Sequence, residues 1–348
     1  MTLVYPDYYP RFRCLAGACP DTCCQDWEII LDSETLARYR ALPGALGERV
    51  RAALTEKDGE TMFALRDGHC PLYTADGLCS VQLALGQDGL CTTCREHPRF
   101  IEEYGATREF SLSVSCPAAA RLLLERETPV LFLSETTDEP VSGCNDLDPA
   151  LYLALRAARR HALALVQDRS RPLSDRLCLL LDYAGRLQRL LDAGRYAAPA
   201  PEDPEKRLAF LRRRRLKKGS EAPILAVLNN MEHLTARFPA LLDRAAQTDA
   251  PDAPLSVQME NLTVYFLFRY FLKAVNDGQL LCRVQSCVFH VLAIRALLGA
   301  QDDPAPLVCL YSKEVEHSEE NGLLLRRAFL RGTLTTRYLL SLLPARIH

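Results

Sequence analysis

The pattern of apolar and polar positions changes character at about residue 148. Beyond it, apolar residues recur at spacings of three and four, the mark of amphipathic helices. PALYLALRAARRHALALVQ, SDRLCLLLDYAGRLQRLLDAG and EAPILAVLNNMEHLTARF all carry this period, and further helices are expected over 255–275, 281–299, 305–320 and 322–343. Two stretches, 197–204 and 217–223, punctuate the run. The basic stretch 212–215, with Lys217 and Lys218, reads as a solvated helix end. Before residue 120 the signals are shorter. WEIILD is β-branched and brief, which predicts a short strand. Asp32 or Ser33 then caps a helix through TLARYRAL. The pairs Asp67-Gly68 and Asp76-Gly77 predict turns on either side of another short strand. The expected architecture is mostly α, with a cysteine-rich N-terminal metal module holding small β elements (1–125), followed by an all-helical domain (145–348).

Composition adds exclusions. Of 348 residues, 48% are hydrophobic and 25% charged, as in an ordinary soluble globular protein. Forty-two basic against 44 acidic side chains leave a formal charge of −2. No large basic field is available, so neither nucleic acid nor a membrane surface is an expected partner. The opening MTLVYPDYYPRFRC lacks the apolar run of a signal peptide, and no stretch approaches about 18 uninterrupted apolar residues. A cytoplasmic protein is expected.

That expectation changes the meaning of 14 cysteines. In a reducing compartment, clustered cysteines point to metal or catalysis, not disulfides. Nine lie between Cys14 and Cys116, as Cys14-x4-Cys19-x3-Cys23-Cys24 and Cys70-x8-Cys79-x11-Cys91-x2-Cys94 followed by Cys116. Thiolates are soft ligands suited to zinc or an iron–sulfur cluster, and either centre takes four. Nine thiols therefore mean two sites or several spectators. Adjacent Cys23-Cys24 suits a larger cluster, or two centres, better than one zinc tetrahedron. His69 and His97 abut the region and read first as loop histidines. Cys144, Cys178, Cys282, Cys287 and Cys309 sit among apolar residues and are expected in the core. The radical triplet C-x3-C-x2-C fails, because Asp26 stands where a third cysteine would follow Cys19 and Cys23.

Two polar stripes interrupt the later apolar helices. Asn261, Tyr265 and Arg269 recur every four residues. Glu314, His317, Ser318 and Asn321 form a second stripe, with Tyr311 one turn earlier. Each alone reads as a solvated helix face.

These blocks together resemble the flagellin lysine-N-methylase family. The similar runs are C-x4-CPDTCC-x2-W-x-I-x-LD, GHCPLY-x4-GLCSVQ-x2-LG-x3-LC-x2-C-x2-HPR and SLSVSCPAAARL, with MENLTVYFLFRYF and YSKEVEHSEEN later. The resemblance implies methyl transfer from S-adenosylmethionine to lysine ε-amines of flagellin. It also implies an iron–sulfur cluster, of expected type 4Fe-4S with zinc as the alternative, held among Cys19, Cys23, Cys24, Cys70, Cys79, Cys91, Cys94 and Cys116; Cys14 is a further candidate. A neutral amine attacks a sulfonium methyl directly, so the protein must deprotonate and align it. Glu314, Glu316, His317, Tyr311 and Tyr265 are the candidates for base or amine positioning. Arg269 and Asn261, with Glu260 and Asn321, are the candidates for holding the donor. The chain shows no glycine-rich Rossmann turn for that donor. The competing reading is a metal-binding interaction or metal-handling protein without methyl transfer.

Overall fold

The computed structural model describes residues 1–141, 147–199, 202–213, 219–248, 256–300 and 303–343. Cys144 and the basic positions Arg214, Arg215, Lys217 and Lys218 lie outside the described residues. In chain order the elements are β1 (Thr2–Pro6), β2 (Ile29–Ile30), α1 (Ser33–Arg40), α2 (Gly44–Ala53), β3 (Leu54–Lys57), β4 (Glu60–Phe63), α3 (Ser80–Leu85) and α4 (Thr92–Glu96). A hairpin of β5 (Arg99–Tyr104) and β6 (Thr107–Leu112) follows, then α5 (Pro117–Leu124) and β7 (Phe132–Thr136). The rest is helical: α6 (Pro149–Gln167), α7 (Leu173–Asp192), α8 (Pro204–Arg213), α9 (Ala222–Asn229), α10 (Arg237–Ala245) and α11 (Val257–Tyr270). It ends with α12 (Leu280–Leu298), α13 (Pro304–Tyr311), α14 (Glu319–Leu330) and α15 (Thr336–Leu342).

Two hydrophobic cores form, and they divide the chain differently from a cut near residue 125. The smaller is built from Ile29, Leu31, Tyr39, Val50, Phe63, Leu72 and Val81, with Cys70 and Cys91 inside it. The larger holds the helical bundle and also Tyr8, Phe12, Tyr104, Leu112, Val114 and Leu123. A four-stranded sheet in the order β5-β6-β1-β7 therefore belongs with the helices. In it β1 runs parallel to β6 and antiparallel to β7. The cysteine module is inserted between the first and second strands of this sheet, with its own three-stranded sheet β2-β4-β3.

Local chemistry explains how the module holds its shape. Asp32 caps α1, accepting from Thr35 N at 2.8 Å, and its second oxygen accepts from Thr92 N at 3.1 Å, so one carboxylate fixes the starts of α1 and α4. Hydrogen bonds from Thr35 and Thr92, the Thr35 backbone donor foremost, push the Asp32 pKa well below the ordinary range against the opposing effect of burial. Gly17 and Gly77 let two cysteine-bearing loops touch: a Cβ on Gly77, at φ +76°, would stand 3.4 Å from the Gly17 carbonyl oxygen.

At the centre of the bundle lies α12, apolar around its circumference and packed by α7, α10, α11, α13, α14 and α15. By length and composition it is the one candidate span for a membrane among the described residues, yet most of it is buried within the protein. It also carries Cys282 and Cys287, which with Cys178 and Cys309 are buried as expected.

Three expected helices are broken. EAPILAVLNNMEHLTARF becomes α9 and α10, separated by a loop at 230–236. The segment 305–320 becomes α13, a π-helical turn at Ser312–Glu316, and then Ser318, whose side chain caps α14. The run 322–343 is also divided, at Gly332 with φ +84°.

Candidate active site and thiol cleft

The cysteines of both sequence groups gather. Cys14, Cys19, Cys23, Cys24, Cys79, Cys94 and Cys116 line one open cleft of about 380 Å3. Cys70 and Cys91 lie just behind it in the small core, where Cys24, Cys79 and Cys94 pack against them. The backbone sets this up: Cys70 N donates to Cys24 O at 2.8 Å, and Tyr73 bridges to Cys79. Cys79, Cys91 and Cys116 are the N-cap residues of α3, α4 and α5, so their sulfurs stand where helix N–H groups favour negative charge.

The sulfurs also share protons in pairs. The Cys23 thiol donates to Cys24, which draws the Cys24 pKa down to about 7 and drives Cys23 upward. Cys91 and Cys94 form a like pair, with Cys91 lowered by its bond from Cys94 and Cys94 raised. Elsewhere desolvation dominates: burial pushes Cys70 to about 12 and raises Cys19, Cys79 and Cys116. Arg13, Arg95 and Arg99 stand in the same cleft and can offset thiolate charge.

Does this donor set fit an inorganic centre? It is soft, paired and charge-compensated, as an iron–sulfur cluster requires. Among the described residues, however, no three His, Cys, Asp or Glu side chains converge closely enough to hold a single metal ion. A tetrahedral zinc would draw its sulfurs to within about 4 Å of each other, given Zn–S bonds of about 2.3 Å. The thiols gather along a cleft without forming such a single-ion site among the described residues.

Where the cleft meets the bundle there is a seam pocket of about 50 Å3. It shares Cys23, Trp27, His97 and Ser115 with the cleft and adds Lys313 and His317 from the π turn and its end. His317 Nε2 lies 3.0 Å from Ser113 Oγ, which is 2.7 Å from Ser115 Oγ. Its ring stacks on Phe100, at 5.7 Å between centroids. With Nε2–H donating to Ser113 and Ser113 donating to Ser115, the other ring nitrogen is left as an acceptor. Protein packed about the ring lowers the His317 pKa, opposed by Glu316 and reinforced by Arg269 and Lys313. Burial, with His317 and Lys313 nearby, takes His97 down to about 4. Both imidazoles are therefore neutral at pH 7. Lys313 Nζ pairs with Asp21 at 2.9 Å, tying the first cysteine loop to the bundle.

Behind His317 sits a buried polar knot. The Glu316 carboxylate accepts from Tyr270 at 2.7 Å, Tyr265 at 3.1 Å and Ser312 at 2.5 Å, and faces Arg269 Nε at 3.7 Å. Burial raises its pKa most strongly, but Arg269, His317, Ser312 and His290 together hold it below the ordinary value. The Arg269 guanidinium lies over the Phe100 ring, 3.2 Å from its centroid. Tyr311 is buried and bonds His290 Nδ1 at 2.8 Å, one layer deeper. A second cavity of about 300 Å3 reaches Tyr270, His290 and Glu316 from the opposite side.

The structure thus brings together His317, Tyr265, Arg269 and Glu316, and it assigns several other candidates to scaffolding. Glu314 accepts from Leu234 N at 2.6 Å and from Thr235 N at 3.0 Å, holding the loop between α9 and α10. Asn321 bonds the Glu232 backbone on both sides, 2.8 and 2.9 Å, and Glu314 O at 2.8 Å. Asn261 donates to Leu123 O and Arg126 O, both at 3.0 Å, finishing α5. Glu260 is buried between Arg169 and Arg176, at 2.9 and 2.7 Å. These four groups are spent on the chain itself, which leaves little of them for a donor or a lysine. Sequence reasoning passed over Ser113, Ser115, Tyr270, His290 and Lys313. The serines left a signal: Ser111, Ser113 and Ser115 alternate with Leu112 and Val114, and all are buried.

Comparison with known proteins gives the family. The model of the FliB lysine N-methylase C-terminal domain matches residues 159–342, just over half of the chain. The chain belongs to the FliB lysine N-methylase family. It is similar to a lysine-N-methylase of Salmonella typhimurium, 33% identical over 144 residues, which are 39% of this chain and 36% of that protein. A flagellar biosynthetic protein FliU of Salmonella muenchen is 33% identical over 131 residues, 36% of this chain and 78% of that one. A lysine-N-methylase of Salmonella choleraesuis is 32% identical over 144 residues. The chain thus spans about a third of the length of the two lysine-N-methylases. No solved structure matches.

Proposed function

We propose that this FliB-family protein is a cytoplasmic protein-lysine N-methyltransferase that moves methyl groups from S-adenosylmethionine to lysines of flagellin, with an iron–sulfur cluster held by the clefted cysteines. The observation that carries this reading is the seam pocket, where the thiol cleft and the His317 imidazole face one small space in a chain of the lysine N-methylase family. In the transfer, the lysine nitrogen lone pair forms a bond to the methyl carbon while the carbon–sulfur bond breaks. S-adenosylhomocysteine leaves, and one proton is released.

The chain's own groups have clear tasks in such a step. His317, neutral and oriented by Ser113, takes the proton from the lysine ammonium or passes it to water. The Glu316–Arg269–Tyr265 knot fixes Phe100 and the π turn behind it, so that the imidazole is held rigidly. Trp27 and His97 narrow the pocket and exclude water from the amine. Arg13, Arg95 and Arg99 are placed to take the donor's carboxylate, now that Arg269 and Asn261 are committed elsewhere. Cys19, Cys23, Cys24, Cys70, Cys79, Cys91, Cys94 and Cys116 are the residues that would hold the cluster. Bound there, it would anchor the module and, were one iron left without a cysteine ligand, supply a Lewis-acidic site for the donor's amino-acid end.

Two measurements test this. Anaerobically purified protein should contain iron and sulfide in matching amounts, with broad absorbance near roughly 400 nm; zinc without sulfide would overturn the cluster. Mass spectrometry should find flagellin lysines unmethylated in a strain lacking the protein and restored by it, but not by His317→Ala. Unchanged methylation in the deletion strain would overturn the reading.

A further inference from the structure

A groove of about 540 Å3 runs along the outside of the thiol cleft, between the start of α5, α10 and α13. Its apolar lining is made by Ala240, Leu241, Ala305, Pro306 and Leu310. Its rim carries Arg121, Arg237 and Arg244. Two of its wall residues, Asp21 and Pro117, also line the cleft, and Asp21 is paired with Lys313 of the seam pocket. A peptide lying in the groove would therefore pass directly beside the seam.

The rim is poorly neutralised. Arg121 reaches Glu125 only at 3.7 Å, with 54% of its side chain exposed. Arg237 reaches Asp26 at 3.5 Å and Asp21 at 3.7 Å, and is 52% exposed. Arg244 has no ion pair among the described residues. The one carboxylate of the wall, Asp21, is already occupied by Lys313. Three such guanidiniums repel a segment whose only charge is lysine, and they attract one that carries acidic side chains. Fork-shaped donors suit carboxylates in particular. The lining between Ala240 and Ala305 offers apolar surface to small apolar side chains.

We infer that this groove seats the acceptor segment of the protein substrate and selects lysines flanked by acidic and small apolar residues. The inference rests on the methyl-transfer reading above, and its test separates the two. Fluorescent peptides of one length, each with a central lysine, carry Glu, Gln or Lys at the flanking positions within four residues. Binding to the full-length, metal-loaded protein is followed by anisotropy, and methylation by mass spectrometry. The Glu-flanked peptide should bind about tenfold more tightly than the Gln-flanked one, the sum of two or three exposed ion pairs. The advantage should shrink as salt is raised. Arg121→Glu with Arg244→Glu should reverse the order, so that the Lys-flanked peptide binds best, while metal content and S-adenosylhomocysteine binding stay unchanged. If that double variant fails to fold, the peptide series on the unaltered protein and Arg244→Ala alone carry the test. Equal binding of all three peptides, or indifference to the charge reversal, overturns the inference. So does displacement of every peptide by an anionic vesicle or an oligonucleotide, which would make the rim a polyanion surface. Charge-selective binding without methyl transfer would leave the groove standing and sink the methyltransferase reading.

Discussion

The cysteine module and the helical bundle solve the same problem with different means. The bundle buries long apolar helices, and its core includes Leu155, Leu177, Phe266, Val288 and Phe289, all shielded from solvent. The module has a core of only eleven buried residues, two of them cysteines, and very short strands. A core that thin supplies little stability alone, and small folds of this kind are commonly completed by a metal. The comparison teaches that the same residue type serves opposite roles. Cys287 and Cys309 are packing groups, raised by burial and inert, whereas Cys24 and Cys91 are drawn toward the thiolate by their neighbours.

The largest expected effect comes from breaking the module alone. On the cluster reading proposed above, Cys94→Ala should lose iron and methyl transfer together, as iron analysis would show, and thermal melting should show a new early transition. The bundle should keep its helical circular dichroism in that variant. A single transition shared by both regions would mean that they form one cooperative unit.

Next in size is Arg269→Met. It leaves the Glu316 carboxylate buried without its counter-charge, and should cost about 3–5 kcal/mol in urea unfolding. The loss should fall on the bundle, with metal content retained.

Glu314→Ala should be milder, about 1–3 kcal/mol, because it strands the Leu234 and Thr235 N–H groups. Its kcat, measured on folded protein, should stay near the parent value, whereas His317→Ala should lower kcat with stability preserved. Loss of kcat in the Glu314 variant at full stability would return that residue to the chemistry.

The smallest effect is one of pH. His97 beside the module and His290 in the bundle are both held near pKa 4 by burial, against about 6.5 in an unfolded chain. Below about 6.5 the unfolded state takes up protons that the folded state refuses, so stability present above that pH is lost as pH falls toward about 4. Melting temperatures of both regions should decline across this window. His97→Gln should flatten the decline in the module and His290→Gln in the bundle; an unchanged slope in either variant would assign the loss to other groups.

Much of the helical architecture was legible from periodicity, since α6 and α7 each bury one continuous apolar stripe. Asp32 was legible as a cap because its spacing to Thr35 is a local matter. What escaped the sequence was non-local. The strand Thr2–Pro6 pairs with Thr107–Leu112 and Phe132–Thr136 across more than a hundred residues, and no local pattern announces such partners. The site suffered from a phase error. Reading 305–320 as one regular helix put Glu314 and His317 on a shared face, but the wider π turn rotates the residues after Tyr311. Glu316 then meets Tyr265 and Tyr270, while Glu314 turns toward the loop after α9. The thiol gathering was visible as a list of cysteines, though their arrangement into a cleft and a buried row behind it depended on the three-dimensional course of the loops.

Because every residue of α12 from Cys287 to Ile294 is buried, fraying at its ends does not expose its middle turns. Its amide protons should exchange with solvent only when the whole bundle opens, making them the slowest reporters in the molecule. His290, carried on those turns, inherits the same confinement. Whatever flexibility turnover demands must come from the loops and the module around this axle, and never from the axle itself.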